Sequence, residues 1–253
     1  MKGNAKIFKS YWEKFGTLAI FAVMWCVFAA AAPPAFRSGG NFIQIITQSA
    51  TIMLLACGEF FAILIAGIDL SIGSIVAFTG MITAKLMVEF GVDPILAFLL
   101  GAVLGGILCG FINGTLINLT GVHPFIITLG TQSVFRALTL IISNAQATFG
   151  MPKIFLQSFG GLFHGVSMAI VIAMIAAVLC WFVTTKLTFG RNLYVLGGNR
   201  DAAWFSGIHV KKHVLAVHTI SGLCAGICGA VMAARLGAAE PNTSIGAETE
   251  AIA

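Results

Sequence analysis

Long apolar runs separated by short polar breaks dominate the chain, at spacings that suit membrane-crossing helices rather than strands. About 20 mostly apolar helical residues are needed to cross about 30 Å of hydrocarbon. Seven segments qualify: 15–36, 42–66, 68–88, 94–118, 122–143, 164–185 and 213–235. The polar/apolar alternation of an outer-membrane barrel is not seen. Gly-, Ala- and Leu-rich runs instead suit helices whose backbone groups satisfy one another. The expected fold class is an all-α integral membrane protein, a multi-span helical bundle. Composition agrees, with 58% hydrophobic and 9% charged residues, against roughly 25% charged in a soluble domain. The first span is not followed by a small-residue cleavage site and a soluble domain, so it reads as an anchor rather than a signal peptide.

The basic residues set an orientation. Lys2, Lys6, Lys9 and Lys14 precede the first span, and Lys186, Arg191, Arg200, Lys211 and Lys212 lie between the sixth and seventh. Nine of the fourteen Lys and Arg residues thus fall in two segments that six crossings place on one side, which the positive-inside rule makes cytoplasmic. The opposite loops, with Arg37, Glu89, Asp93 and Lys153, are poor in basic residues. The net charge of +5 therefore reflects topology and contact with anionic membrane lipid, and implies no nucleic-acid binding.

Loop 186–212 contains the one strongly polar island. Asn199 is a good N-cap, Asp201 suits the positive first turn of a helix and Gly207 is a stop, so Arg200 to Ser206 should form about two turns. That short helix would present Trp204 and Phe205 from the cytoplasmic face.

Other candidate chemistry is sparse. Cys26, Cys57, Cys109, Cys180, Cys224 and Cys228 all sit inside expected spans, where free cysteine packs as a small apolar residue. Cys224 and Cys228, with His218 and His213 on preceding turns, do not have structural-zinc spacing. His123 and His164 read as interfacial residues rather than ligands. Small residues recur four apart at Gly101, Gly105, Gly106, Gly110, Gly114, Gly222 and Gly226, which points to close helix packing and a subunit interface. Asn113 and Asn118 could line a polar path or bond between helices, the latter being the plainer reading. Four ionisable groups fall at or near membrane depth, where each needs a partner, water or an interface. Lys85 and Arg136 are near span ends and are expected to snorkel. Glu59 has no evident partner and is the candidate pore-side or bundle-locking carboxylate. Asp69 follows a helix interruption at Gly67, so Asp69 or Ser71 is expected to cap the next helix, ahead of touching substrate.

Three stretches carry a resemblance: Gly58-Glu-Phe-Phe-Ala-Ile-Leu-Ile-Ala-Gly-Ile-Asp-Leu-Ser-Ile-Gly73, His123-Pro-Phe-Ile-Ile-Thr-Leu-Gly-Thr131 and Gly197-Gly-Asn-Arg-Asp-Ala-Ala-Trp-Phe-Ser-Gly207. Together with Ala233-Ala-Arg-Leu-Gly-Ala-Ala-Glu-Pro241, they resemble the permease subunits of ribose-type ABC sugar importers across residues 10–253. The resemblance implies the type II importer fold of the cobalamin permeases, and one transmembrane permease domain over 1–253. It makes 186–212 the cytoplasmic coupling loop that docks on the ATPase subunit, with Gly198, Asn199, Asp201, Ala202, Trp204, Phe205, Ser206 and Gly207 as coupling residues. Glu59, Asp69, Asn113 and Arg136 are the candidate pathway or bundle-locking residues. Family members continue with further spans where this chain stops, in what reads as the opening of a helix. The sequence is therefore expected to be incomplete at its C-terminus and to transport poorly as it stands.

The resulting expectation is the permease subunit of an ATP-driven importer of a monosaccharide, D-allose or ribose-like, in a bacterial inner membrane with its N-terminus cytoplasmic. No Gly-x-x-x-x-Gly-Lys-Ser/Thr loop occurs, so ATP and Mg would be used by a separate ATPase subunit and no cofactor is expected on this chain. The implied partners are that ATPase, a second permease copy as a homodimer, and an extracytoplasmic sugar-binding protein. The alternative is an ion-coupled secondary sugar transporter using Glu59 or Asp69. An intramembrane enzyme is disfavoured, since neither His-Glu-x-x-His nor Gly-x-Ser-x-Gly occurs.

Overall fold

The computed structural model describes the backbone of residues 2–163 and 165–253, and the side chains of Trp12 and of residues from Phe15 onward apart from residue 164. The reading of His164 lies outside the described residues. Two units are distinguished, Met1–Ile46 and Thr47–Ala253. In the first, α1 (Lys2–Ala31) is followed by a 3-10 turn (Pro34–Arg37) and the start of α2 (Gly39–Leu64). Trp25 organises this unit, its ring 5.0 Å from Phe36 and 6.0 Å from Phe42 in an edge-on arrangement.

The second unit takes up α2 and continues with α3 (Ile72–Val88), then α4 (Pro94–Ala97), which runs through a π-type stretch (Phe98–Leu104) into α5 (Gly105–Thr120), then α6 (Pro124–Ser143). β1 (Thr148–Phe149), α7 (Lys153–Phe155), π-type turns (Leu156–Gly160) and the β2–β3 hairpin (Leu162–Phe163, Val166–Ser167) lead to α8 (Met168–Lys186). α9 (Thr188–Gly198), α10 (Arg200–Phe205), α11 (Val210–Leu236), β4 (Ala238–Ala239) and α12 (Ala247–Ile252) complete it. The expected all-α multi-span bundle is the observed architecture, and the strands are two-residue pairings at its loops.

Among the described residues five helices are long and apolar enough to cross a membrane: Gly39–Leu64, Pro94–Thr120, Pro124–Ser143, Met168–Lys186 and Val210–Leu236. In the other two expected spans, 15–36 and 68–88, the described apolar helices are Phe15–Ala31, the later part of α1, and Ile72–Val88. In the second case the helix starts late. Residues 65–71 are not α-helical, and Ala66 turns the chain with φ 58°.

α11 is the central post, packed along α5 and α3. The small residues decide this. A Cβ on Gly222 would meet the Gly110 nitrogen at 2.7 Å, and one on Gly226 would come within 2.9 Å of the Gly106 Cα. Gly110 faces the His218 carbonyl, Gly114 the Leu215 backbone and Gly101 the Thr83 backbone. The subunit interface expected of these glycines is therefore corrected. They are used within the chain, where backbones can approach only if no Cβ intervenes. Gly105 alone has looser surroundings, an added Cβ there lying 3.5 Å from the Thr79 methyl. The antiparallel β1–β4 pair, Thr148 opposite Ala239 and Phe149 opposite Ala238, joins the 144–152 loop to the chain leaving α11. It places those two segments at one end of the bundle.

Candidate functional site

Two regions hold the sequence-derived candidates. The first is a buried polar knot around the break at 65–71. Leaving α2, the chain passes Gly67, where an added Cβ would lie 3.3 Å from the Pro124 ring, and returns to Asp69 before α3 begins. Non-helical backbone at membrane depth survives only where its polar groups are satisfied by protein or water. Here each is met. Asp69 N donates to Glu59 Oε1 at 2.9 Å, Leu70 N to Thr128 Oγ1 at 3.1 Å and Ser71 N to Asp69 Oδ1 at 3.0 Å. Ser71 Oγ also donates to Asp69 Oδ1 at 2.6 Å, Ser221 Oγ on α11 donates to Asp69 Oδ2 at 2.9 Å, and Asn113 Nδ2 on α5 donates to Ser71 Oγ at 2.7 Å. Glu59, Asp69, Ser71, Asn113 and Ser221 are all fully buried.

The partner that sequence could not supply for Glu59 is thus a backbone amide ten residues on. Asp69 serves as the expected cap, holding the first turn of α3 through the Ser71 nitrogen, and it also ties that turn to α11. Ser71 occupies the N-cap position, but its hydroxyl makes no cap bond of its own. Asn113 bridges helices, whereas Asn118 donates to the Lys211 carbonyl at 2.8 Å and so fastens α5 to the start of α11. His218 is buried with Nδ1 on the Val214 carbonyl, and His123 caps α6 by accepting from Phe125 N. The cysteines are all free; Cys109, Cys224 and Cys228 are buried, Cys57 and Cys180 half-buried and Cys26 exposed. No cluster of three potential metal ligands occurs among the described residues.

Arg136 overturns its expectation. Instead of snorkelling, it turns inward, where Nη1 donates to the carbonyls of Pro241 (2.7 Å) and Thr243 (3.0 Å) and Nη2 to that of Gly73 (3.3 Å). A planar guanidinium can serve three carbonyls on two segments at once. It pins the chain that follows α11 against the start of α3, and Gln132 adds a bond to Glu248 at 3.0 Å. Lys85 ion-pairs with Glu89 one turn along.

The second region is the 186–212 loop. Its short helix is α10, one residue shorter than expected, with Ser206 as its C-cap. The Asn199 side chain accepts from Ala202 N at 2.8 Å, Asp201 lies in the first turn, Ser206 Oγ donates to the Ala202 carbonyl, and Gly207 has φ 80°. Ala203 is the buried contact, while Trp204 and Phe205 are 64% and 79% exposed with rings 4.9 Å apart. A groove of about 760 Å³ runs beside them, lined by Arg200, Trp204, His209 and Lys212 among others. Sequence reasoning missed α9, although Gly190, Leu193 and Leu196, its buried positions, are spaced for one helix face. Gly197 at its end lies directly on the Leu64 carbonyl of α2, and Gly198 beside it has open space.

The exposed aromatic pair thus sits on a capped helix beside α9, at the edge of a tightly packed helical bundle. Residues 41–253 match the family described as branched-chain amino acid transport system / permease component. The chain belongs to this permease family. It is 50% identical over 246 residues to the D-allose transport system permease protein of Escherichia coli, covering 97% of this chain and 75% of that protein. It is 36% identical over 249 residues to the ribose import permease protein of Bacillus subtilis (97% and 76% covered) and 30% identical over 236 residues to an L-arabinose ABC transporter permease protein of Azospirillum brasilense (93% and 69%). No solved structure matches the chain. Family and fold make it a multi-pass inner-membrane transport permease and not an enzyme.

Proposed function

We infer that this permease is the membrane component of an ABC sugar importer whose cargo is a monosaccharide of the allose and ribose kind. The observation that carries the sugar class is the 50% identity, nearly end to end in this chain, with a D-allose permease, supported by ribose and arabinose permeases at greater distance. Its N-terminus and the loop 186–212 face the cytoplasm, α10 docks on a separate ATPase subunit that binds ATP and Mg, a second permease copy completes the pathway, and a soluble binding protein delivers the sugar from outside. The exposed Trp204–Phe205 pair supports the docking assignment, because apolar anchors of this kind dominate helix-in-groove contacts. Glu59 and Asp69 are engaged in holding backbone and hydroxyl groups, which favours a locking role for both over ion coupling.

Uptake of labelled D-allose and D-ribose into vesicles carrying the permease extended to the length of its family, the ATPase and the binding protein tests the class. ATP-dependent uptake that persists after ion gradients are collapsed is expected, and gradient-driven uptake without ATP would refute it. In the same complex, Trp204→Ala or Phe205→Ala should weaken ATPase association by more than about tenfold and uncouple hydrolysis from uptake, with membrane insertion intact. Lys211→Ala, which removes one charge, should cost well under about 1 kcal/mol. Unchanged co-purification and uptake in both aromatic variants would remove the coupling assignment.

A further inference from the structure

The groove beside α10 is basic in a way that its own neighbours do not answer. Loop 186–212 holds five cations, Lys186, Arg191, Arg200, Lys211 and Lys212, against one acid, Asp201. Three of the five, Arg200, Lys211 and Lys212, line the groove together with Asp201 and Trp204. All three are exposed, and the side chain of none makes an ion pair or hydrogen bond among the described residues. Asp201 lies in the first turn of α10, where it answers the positive end of that helix.

Lys211 and Lys212 stand against the local electrostatics. They occupy the first turn of α11, a 27-residue helix whose N-terminal end is itself positive, and no acid accompanies them there. Their placement is nevertheless fixed. Asn118 Nδ2 holds the Lys211 carbonyl at 2.8 Å, and His213 next along is stacked on Phe189 of α9. The positive-inside rule asks only for basic residues on the cytoplasmic side. It does not ask that three of them gather at a helix start beside an exposed aromatic pair. Like charges held together at a positive helix end cost energy until an anionic partner offsets them. A groove with a basic wall and an aromatic one fits a protruding protein edge better than a flat layer of lipid headgroups.

We propose that this groove receives an acidic ridge of the ATPase subunit, with Arg200, Lys211 and Lys212 steering the encounter and Trp204 and Phe205 holding the docked state. The proposal deepens the coupling reading and rests on it. Exposed charges act over about one Debye length, about 10 Å at 0.1 M salt, so they set the rate of encounter and its salt dependence more than the final affinity. The experiment uses the permease extended to the length of its family, in phosphatidylcholine nanodiscs, with its ATPase. The association rate constant should fall by about tenfold or more between roughly 50 and 500 mM salt. Lys211→Glu with Lys212→Glu should slow association roughly tenfold at the low-salt end and remove most of the salt dependence, with dissociation near the parent rate. Glutamate suits a helix N-terminus, so slower association would not arise from a damaged α11. Lys153→Glu, outside the loop, should leave the rate unchanged. Bound ATPase should also protect Lys211 and Lys212 from acetylation by a water-soluble reagent. No association of the parent overturns the coupling reading itself. Parental association that is indifferent to salt, or equally fast in the charge-reversed variant, overturns the acidic ridge alone. Protection of the two lysines by phosphatidylglycerol in the disc, and not by the ATPase, assigns the groove to lipid headgroups and overturns it as well.

Discussion

Replacing Asp69 by alanine removes one carboxylate and disturbs three donors. The two hydroxyls, Ser71 Oγ and Ser221 Oγ, can rotate, so each loses no more than a net hydrogen bond of about 0.5–1.5 kcal/mol. The Ser71 nitrogen cannot move without unwinding the first turn of α3, and a stranded buried amide costs about 1–3 kcal/mol. The sum is about 2–6 kcal/mol, a large share of the 5–15 kcal/mol that typically separates folded from unfolded protein. Asp69→Asn behaves differently. Its carbonyl oxygen still accepts from Ser71 N, its amide faces Ser221 Oγ, and that hydroxyl can turn to accept, so the loss should stay near 1 kcal/mol. The measurement is the thermal midpoint for loss of the monodisperse purified permease, with parent, Asn and Ala variants side by side. The expected order is parent, then Asn close behind, then Ala far below. An Ala variant as stable as the parent would refute the view that Asp69 holds the break between α2 and α3. Equal damage from Asn and Ala would refute the account of which atoms matter.

Gly222→Val should prevent α5 and α11 from closing, since even a Cβ would meet the Gly110 nitrogen at 2.7 Å, and the yield of folded permease should collapse. Gly130→Ala on α6, with nothing within 4 Å of its Cβ position, should be neutral or slightly stabilising, and equal behaviour of the two would count against the packing argument. Arg136→Leu should free the segment after α11, raising the thiol-labelling rate of Asn242→Cys by about tenfold, an estimate from losing one or two net hydrogen bonds. Arg136→Lys should restore little, because an ammonium cannot span the same carbonyls. For orientation, an impermeant reagent should label Ser38→Cys and Asn242→Cys from outside intact cells and leave Asn192→Cys untouched, and the reverse pattern would invert the topology.

Helices that face lipid were legible because lipid imposes one rule, a sufficiently long apolar run, and five of the seven segments meet it among the described residues. Span 68–88 was misjudged because Ile68 and Leu70 are as apolar as helix residues, and hydropathy cannot tell a residue in a helix from one in a buried break. The hints were Gly67 and the Asp69-x-Ser71 pair, which sequence reading used for capping but not for depth. Likewise the glycine spacing revealed close packing without revealing its partner, since Gly110 and Gly222 carry the same signal whether they meet within one chain or between two. Arg136 failed for a different reason. Its acceptors are backbone carbonyls about a hundred residues away, and carbonyls leave no mark on a sequence. The α10 helix was nearly complete in the sequence because capping is local: Asn199, Asp201 and Gly207 act within two turns of one another.

The placement of α9 bears on how docking at α10 would reach the buried knot. Gly197 has no side chain to yield, and it rests on the Leu64 carbonyl at the last residue of α2. Beyond that carbonyl the chain enters the break, where Gly67 abuts Pro124 at the start of α6 and Thr128, one turn further along α6, holds Leu70. α9 is also held to α11 by Asn192 near His213 at 3.2 Å and by the Phe189 ring stacked on His213. A partner bound to Trp204 and Phe205 would thus press on backbone seated against backbone, and close-packed interiors transmit strain rather than absorb it. Between α2 and α3 lies the non-helical stretch 65–71, held by bonds from Glu59, Asp69 and Thr128 and by its own backbone bonds to Ala62 and Ile63. On this geometry we propose that the polar knot, whose bonds could be exchanged for others, is where a two-state element between coupling helix and pathway would be built.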